Sequence, residues 1–271
     1  MALTAFQLAV CRLIARRRMA DGESYVAGGA ALHALAAAPR VSRDIDPLHD
    51  TAEAVESSFE GDRALLVGAG YAVETTRDRR TFVEAVVARG SERVVLQWTS
   101  DSAYRFFPLT EHPDFGLALH PFDLATNKVL ALVGRLEPRD WVDVITCHER
   151  IQPLGYLAWA GCGKDPGFSP SGILAHAGRS SRYTDVELAS LEFEGAPPTA
   201  ADLSRRWHTM LDEARELVRL LPAEHAGRCV LMSDLTLVRG DGAALEQTLR
   251  GGAIRFHAGS IRGAWPQIRP G

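Results

Sequence analysis

Residues 24–48 read SYVAGGAALHALAAAPRVSRDIDPL, and this stretch decides the fold. Its first four residues predict a short strand, which ends at the pair Gly28-Gly29. A helix-forming run follows the pair and ends at Pro39. A glycine pair at the start of a helix lets backbone N–H groups approach an anion closely, and the helix dipole favours phosphate there. Taken alone, the pair is also explained by a plain tight turn.

The same stretch closes on a second strand that carries two acids. Residues 41–48 alternate as a strand, and strand geometry places Asp44 and Asp46 on one face, roughly 7 Å apart. Two carboxylates so placed repel each other when they are buried without a cation. Mg²⁺ is usually bound by few carboxylates together with the substrate's phosphates, so this pair is a candidate metal site. The alternative is a solvated strand edge whose acids pair with Arg43 or Arg40.

The rest of the chain predicts an α+β protein. A helix over 51–67 precedes a small mixed sheet, and two consecutive helices follow that sheet. The further predicted strands are 71–76, 81–88, 93–99, 229–232 and 235–238, and the predicted helices include 123–135, with Asp123 as its N-cap, 139–150 and 200–221. We expect a small mixed β-sheet domain flanked by helices over 1–150, followed by a mainly helical domain over 151–271.

Composition excludes several classes of protein. The chain has 271 residues with 30 basic and 34 acidic side chains, a net charge of -4, so no long-range positive field surrounds it and any RNA contact must be local. The four cysteines form no C-x-x-C pair, which argues against a zinc site. No run approaches the roughly 18 apolar residues that a membrane span needs. These features predict a soluble cytoplasmic protein with no membrane partner.

A second group of charged residues lies on the two predicted helices before residue 150. The chain has 28 arginines but only two lysines, Lys128 and Lys164. Lys128 and Arg135 are seven apart on one helix and therefore share a face, and lysine is a point-charge phosphate binder. Lys164 lies in a predicted loop with no evident chemistry. Asp140 and Asp143 follow on the next helix.

Together these segments resemble a known family. VAGG at 26–29 followed by SRDID at 42–46 resembles the signature of the DNA polymerase β-like minimal nucleotidyltransferases. The later strings DLATNKVLAL at 123–132, with Arg135, and RDWVD at 139–143 resemble the AbiEii/AbiGii-type toxin branch of that family. The likeness covers about residues 20–150, in the family's order.

The resemblance implies an activity and a set of roles. It implies a nucleotidyltransferase domain that uses an NTP with Mg²⁺ or Mn²⁺, as the toxin of a toxin–antitoxin or phage-defence pair. Some relatives are thought to add nucleotides to the 3′ end of tRNA. By the family's motifs, Asp44 and Asp46 would hold metal, Gly28, Gly29 and Ser42 would lie on the phosphate side, Lys128 and Arg135 would contact the nucleotide, and Asp140 and Asp143 would form the acidic last motif.

One departure from the family concerns a third carboxylate. The polymerase β-like pattern has an acid on a neighbouring strand, and Gln97 stands at the equivalent centre of residues 95–98. Asp101, at the end of that strand, is our candidate for the third metal ligand. Glu84, on the strand before it, is a second candidate. If neither converges on the two aspartates, the chemistry of two metal ions is in doubt.

The leading hypothesis is therefore Mg²⁺-dependent transfer of an NMP from an NTP to a hydroxyl acceptor, expected to be RNA such as tRNA. One alternative is a catalytically weak relative that binds a nucleotide or an antitoxin protein. Another is an adenylyltransferase for a small antibiotic-type molecule, which would need an acidic cleft. The RNA hypothesis predicts that arginines such as Arg205, Arg206, Arg215 and Arg219 gather beside the site.

Overall fold

The computed structural model describes residues 3–42, 44–180 and 183–267. The chain divides into two compact units, the first comprising residues up to Ala103 with Leu109–His120, and the second Tyr104–Pro108 with the residues from Pro121 onward. The boundary expected at residue 150 falls inside the second unit. A functional division at that residue stays a prediction.

The helices and strands follow the predicted order. They are α1 (Ala5–Asp21), β1 (Ser24–Ala27), α2 (Gly28–Ala36), β2 (Asp44–His49), α3 (Ala52–Gly68), β3 (Ala72–Arg79), β4 (Phe82–Arg89), β5 (Glu92–Ser100), β6 (Tyr104–Arg105), β7 (Thr110–His112), β8 (Gly116–Ala118), α4 (Pro121–Arg135), α5 (Pro138–Arg150), α6 (Leu154–Lys164), α7 (Pro170–Ala177), α8 (Asp185–Leu188), α9 (Ala200–Leu220), β9 (Arg228–Met232), α10 (Gly242–Arg250), β10 (Ile254–Ala258) and β11 (Ser260–Ile261). This arrangement confirms the predicted α+β class.

The first unit is built on a seven-stranded mixed sheet of order β3-β4-β5-β2-β1-β8-β7. β2 pairs with β5 and β1 with β8 in parallel, whereas the other neighbours are antiparallel. One face of β4, β5 and β2 is buried in the core, and it carries Ile45, Val83, Ala85, Val87, Leu96 and Trp98. Because strand side chains alternate, the opposite face is the one that carries the acids, and it is only half-buried.

Arg18 and His49 are among the polar side chains that are buried within the first unit. Arg18 donates to Ser24 Oγ at 3.0 Å and to the Phe115 carbonyl at 2.7 Å. His49, at the end of β2, is fully buried, with Nδ1 3.4 Å from the Thr99 carbonyl. Burial lowers the pKa of His49 to about 4, so the imidazole is neutral at neutral pH.

The second unit is mainly helical, with one hairpin. Its core packs β9 and β10 against α6, α9 and α10. The strand predicted at 235–238 is wrong, because this segment makes only an isolated bridge between Leu237 and Leu231 and the true partner of β9 is β10. Nothing in the sequence between β9 and β10, which includes α10, marks that long-range pairing. No helix in the described ranges has both the length and the apolar character to span a membrane.

Two further expectations in the second unit need correction. Asp123 is not the N-cap of α4, which begins at Pro121. Its buried carboxylate instead accepts hydrogen bonds from the backbone N–H groups of Phe106 and Phe107 at 2.9 and 3.0 Å. Lys164 is not in a loop but ends α6, with Nζ 2.7 Å from Asp123 Oδ1.

Candidate active site

Gly28 and Asp46 are in direct contact in the first unit. β1 and β2 are antiparallel with Ala27 opposite Asp46, so the chain leaves β1 and enters α2 beside this carboxylate. Gly28 has a φ of 68°, and a Cβ built on it would lie 2.0 Å from Asp46 Oδ2. Any side chain at this position would therefore displace the carboxylate. The glycine pair and the acidic strand, predicted separately, form one local structure.

Gly29 makes an equally close approach to two polar side chains. A Cβ at Gly29 would lie 2.4 Å from Arg40 Nη2 and 2.9 Å from Ser42 Oγ, and Ser42 Oγ itself donates to the Asp44 carbonyl at 3.2 Å. The N-cap of α2 is Ala27, which makes no side-chain cap, and the first turn of the helix has no acidic residue. This helix start thus combines N–H groups that receive no side-chain cap from Ala27 with a guanidinium and a hydroxyl, which suits an anion.

Arg40 is the residue that sequence reasoning missed as a site candidate. Its side chain is nearly buried, and it donates to the Val41 carbonyl at 3.1 Å while lying against Gly29. Arg43, the other proposed partner of the acids, lies outside the described residues. The signal that could have identified Arg40 is its period-two spacing, since Ser42, Asp44 and Asp46 follow it at steps of two.

Gln97 and Glu84 extend the acidic face across three strands. Ile45 lies opposite Leu96 and Leu48 opposite Thr99, a register that places Gln97 opposite Asp46. Gln97 in turn lies opposite Glu84 on β4. Directly opposed residues share a face of the sheet, so Asp46, Gln97 and Glu84 form one row.

The Glu84 carboxylate is already engaged by its neighbours. Its Oε2 accepts from Gln97 Nε2 at 2.8 Å, and its Oε1 accepts from Thr76 Oγ1 at 2.8 Å. The Arg77 Nε lies 3.7 Å from the same Oε1. Glu84 therefore supports Gln97 rather than extending toward the aspartates.

Asp101 does not join the two aspartates, which corrects the proposed three-carboxylate set. It lies four residues beyond Gln97, about 13 Å along the strand direction at the usual rise per residue. Its N–H donates to the His49 carbonyl at 2.9 Å, and its exposed carboxylate accepts from the Ser102 N–H at 2.8 Å. Within the part of the chain that the structure describes, no group of three or more histidine, cysteine or acidic side chains is arranged to hold a metal ion.

The residues present nevertheless fit one divalent cation. Asp44 and Asp46 lie two apart on a half-buried strand face, and because Gly28 has no side chain the Asp46 carboxylate can lie against the start of α2. Two carboxylates supply the oxygen ligands that Mg²⁺ prefers, with its remaining positions left for water and phosphate. The same residues do not assemble the three carboxylates of a two-metal site.

The remaining predicted residues come together in the second unit, between α4 and α5. Lys128 Nζ lies 2.7 Å from Asp143 Oδ2 and 3.6 Å from Asp140 Oδ1. Arg135 binds Asp140 with two hydrogen bonds, from Nε at 2.8 Å and from a terminal nitrogen at 3.0 Å. Both aspartates are fully buried, and the Lys128 side chain is 9% exposed. Two cations and two anions thus neutralise each other in a buried network.

The arginines of α9 do not form a basic surface by themselves. The helix carries Arg205, Arg206, Arg215 and Arg219, but also Asp202, Asp212, Glu213 and Glu216, so its charges balance. Three of these arginines are in exposed ion pairs, Arg205 with Asp202, Arg206 with Glu149, and Arg215 with Asp212. The gathering of these arginines beside the site, which the RNA hypothesis predicts, stays a prediction.

Comparisons with known proteins agree on the fold. No family model matches the sequence, and no curated protein matches it. The structure is similar to JHP933 from Helicobacter pylori, with a TM-score of 0.54 and 14% identity over 80% of this chain and 93% of that one. It is also similar to MenT4, a nucleotidyltransferase toxin from Mycobacterium tuberculosis, with a TM-score of 0.50 and 15% identity over 82% of this chain and 91% of that one. The chain therefore has a fold that a nucleotidyltransferase also has.

Proposed function

We propose that this protein is a nucleotidyltransferase that moves an NMP from an NTP to a hydroxyl acceptor. The observation that carries the proposal is the contact of Gly28 with Asp46, which places an uncapped helix start beside two carboxylates on one strand face. This combination provides a site for an anion next to a site for a cation, which is the pair of groups that a metal-bound triphosphate presents. The fold shared with MenT4 supports the same conclusion.

Each residue has a role that follows from its place. The N–H groups at the start of α2, with Ser42 and Arg40, bind the phosphates of the NTP. Asp44 and Asp46 would hold Mg²⁺ or Mn²⁺, and the bound cation would neutralise charge on the transferring phosphate. In the reaction, the acceptor oxygen forms a bond to the α-phosphorus, the bond to the bridging oxygen breaks, pyrophosphate leaves with the electron pair, and the hydroxyl proton passes to solvent.

The buried network of the second unit has a positioning role in this proposal. Asp143 and Asp140 fix the Lys128 ammonium, which has three donors and so retains capacity for a phosphate oxygen. Arg135 is about half exposed while it holds Asp140, and it is the second candidate for a nucleotide contact. Residues 1–150, which include α4 and α5, are thus proposed as the catalytic domain.

The finer assignment follows the sequence resemblance. We place the protein with the AbiEii/AbiGii-type toxins, acting in the cytoplasm on RNA such as tRNA and restrained by an antitoxin protein. The charges of α9 balance, so the helix as a whole adds no positive field that would hold an RNA acceptor.

Label transfer tests the proposal. The full chain is incubated with each α-³²P-labelled NTP, Mg²⁺ and total RNA or lysate, and Asp46→Asn is compared with Asp101→Asn as a matched control on the same sheet. We expect labelled macromolecule with the wild type and Asp101→Asn, and a loss of at least about 100-fold with Asp46→Asn, because a misplaced or missing catalytic group commonly costs that much. Transfer that survives Asp46→Asn would contradict the catalytic assignment.

A second candidate is a nucleotide- or partner-binding protein with little catalysis. The observation that favours it is Gln97, an amide where the family's third carboxylate is expected. Binding of an NTP that depends on Asp46, without transfer of label to any acceptor, would select this candidate.

A further inference from the structure

Gln97 occupies the place between Asp46 and Glu84 in the row across β2, β5 and β4. Its side-chain nitrogen donates to Glu84 Oε2 at 2.8 Å. A carboxylate only accepts, so this bond fixes which end of the Gln97 amide faces Glu84. The amide oxygen Oε1 is consequently the end available to a neighbour on the other side.

The orientation of Glu84 is itself fixed from the outer strand. Thr76 Oγ1 donates to both the Glu84 carboxylate and its backbone carbonyl, at 2.8 and 3.2 Å. The order Thr76, Glu84, Gln97 is thus a chain of hydrogen bonds that runs inward from β3 toward Asp46. Such a chain holds a side chain in one position more firmly than a single bond does.

We infer that Gln97 is a neutral replacement for the third carboxylate, positioned by Glu84, and that the site therefore binds one divalent cation per chain rather than two. The inference rests on the proposed function and specifies how its site handles metal. Asp44 and Asp46 carry two negative charges, which one Mg²⁺ balances. An amide oxygen can still ligate the ion or a water molecule beside it, but it adds no charge to attract a second ion.

Counting bound Mn²⁺ tests the inference independently of catalysis. The full chain is dialysed to equilibrium against Mn²⁺ and each of the four α,β-methylene NTP analogues, and bound metal and analogue are measured per chain. The variants are Gln97→Asp, which adds a negative charge, and Gln97→Asn, whose side chain is as long as that of Asp but carries no charge. Asp46→Asn serves to locate the site, and a thermal melt without metal shows that each variant is folded.

We expect one Mn²⁺ per chain in the wild type and in Gln97→Asn, and two in Gln97→Asp. The apparent Kd of the second ion should fall at least about tenfold in Gln97→Asp, since a full charge is added about one strand spacing from Asp46. Two ions in the wild type, or one in Gln97→Asp, would overturn the inference and leave the proposed function standing. If Asp46→Asn binds metal and analogue as the wild type does, the proposed function fails as well.

Discussion

Gly28→Ala is the most direct perturbation of the proposed site, because it adds one methyl group against a metal-binding carboxylate. The new Cβ would lie 2.0 Å from Asp46 Oδ2, whereas real Cβ contacts are essentially never under 3.0 Å. The carboxylate oxygen must therefore retreat by at least the difference, about 1 Å. A misplacement of about 1 Å at a reacting centre can cost about 100-fold in rate.

The substitution also strains the backbone, and this effect has to be separated from the first. Gly28 has a φ of 68°, and a residue with a Cβ in this left-handed region costs about 1–2 kcal/mol. Gly22, at the end of α1, has a φ of 67° and no atom within 4 Å of a built Cβ. Gly22→Ala therefore reproduces the backbone strain without the contact on Asp46.

Comparing Gly28→Ala with Gly22→Ala separates the effect of backbone strain from the effect of the displaced carboxylate. Urea denaturation should show that both lose about 1–2 kcal/mol of unfolding free energy, with a further loss in Gly28→Ala for the displaced carboxylate. Label transfer from an α-³²P NTP should fall about 100-fold only in Gly28→Ala, and Mn²⁺ binding with an NTP analogue should weaken in the same variant only. Equal losses in the two variants, or full transfer by Gly28→Ala, would refute the reasoning.

Three further predictions concern single side chains. Lys128→Met leaves two buried aspartates with one cation and should lower the free energy of unfolding, measured by urea denaturation, by about 3–5 kcal/mol. Arg205→Met removes an exposed ion pair and should lower it by less than about 1 kcal/mol, and equal losses in the two variants would contradict the buried network. Burial lowers the pKa of His49 from its usual 6.5 to about 4, so between these pH values the unfolded chain binds a proton that the folded chain does not. The free energy of unfolding should therefore fall by about 3 kcal/mol as the pH drops from 6.5 to 4. His49→Gln should flatten that dependence, and an unchanged slope would show that other groups cause it. Arg40→Gln should raise the Kd for the NTP at least about tenfold in filter binding, since a charge-assisted hydrogen bond to phosphate is lost, and an unchanged Kd would remove Arg40 from the site.

The local part of the fold could be predicted because the sequence encodes it within short windows. The glycine pair, the alternation around Asp44 and the helix at 51–67 each depend on neighbours a few residues away. The strand prediction at 235–238 is wrong because the apolar residues there satisfy strand propensity, whereas the partner of β9 is β10, more than twenty positions away in the sequence. Propensity alone does not select a partner strand.

The sequence predicts the residue types of the site better than it predicts which of those residues lie close together. The resemblance assigns Gly28 and Asp46 to one site, but their direct contact depends on the antiparallel register of β1 and β2, which the sequence does not specify. Asp101 ends the correct strand, but a strand rises about 3.3 Å per residue, so four residues carry it out of reach. An arginine near two acids is first explained as an ion pair, and the sequence therefore predicts Arg40 as a partner of the aspartates rather than of a phosphate.

The scarcity of lysine takes on a different meaning once both lysines are located. Lys128 is held by Asp143 and Asp140, and Lys164 by Asp123 and Asn127, and each lysine side chain is less than a tenth exposed. A compact ammonium fits between acceptors that converge from several directions, whereas a planar guanidinium needs them in a fork. Lys164 meets the same requirement without any proposed contact to a nucleotide. The two buried aspartates alone thus explain why position 128 carries a lysine.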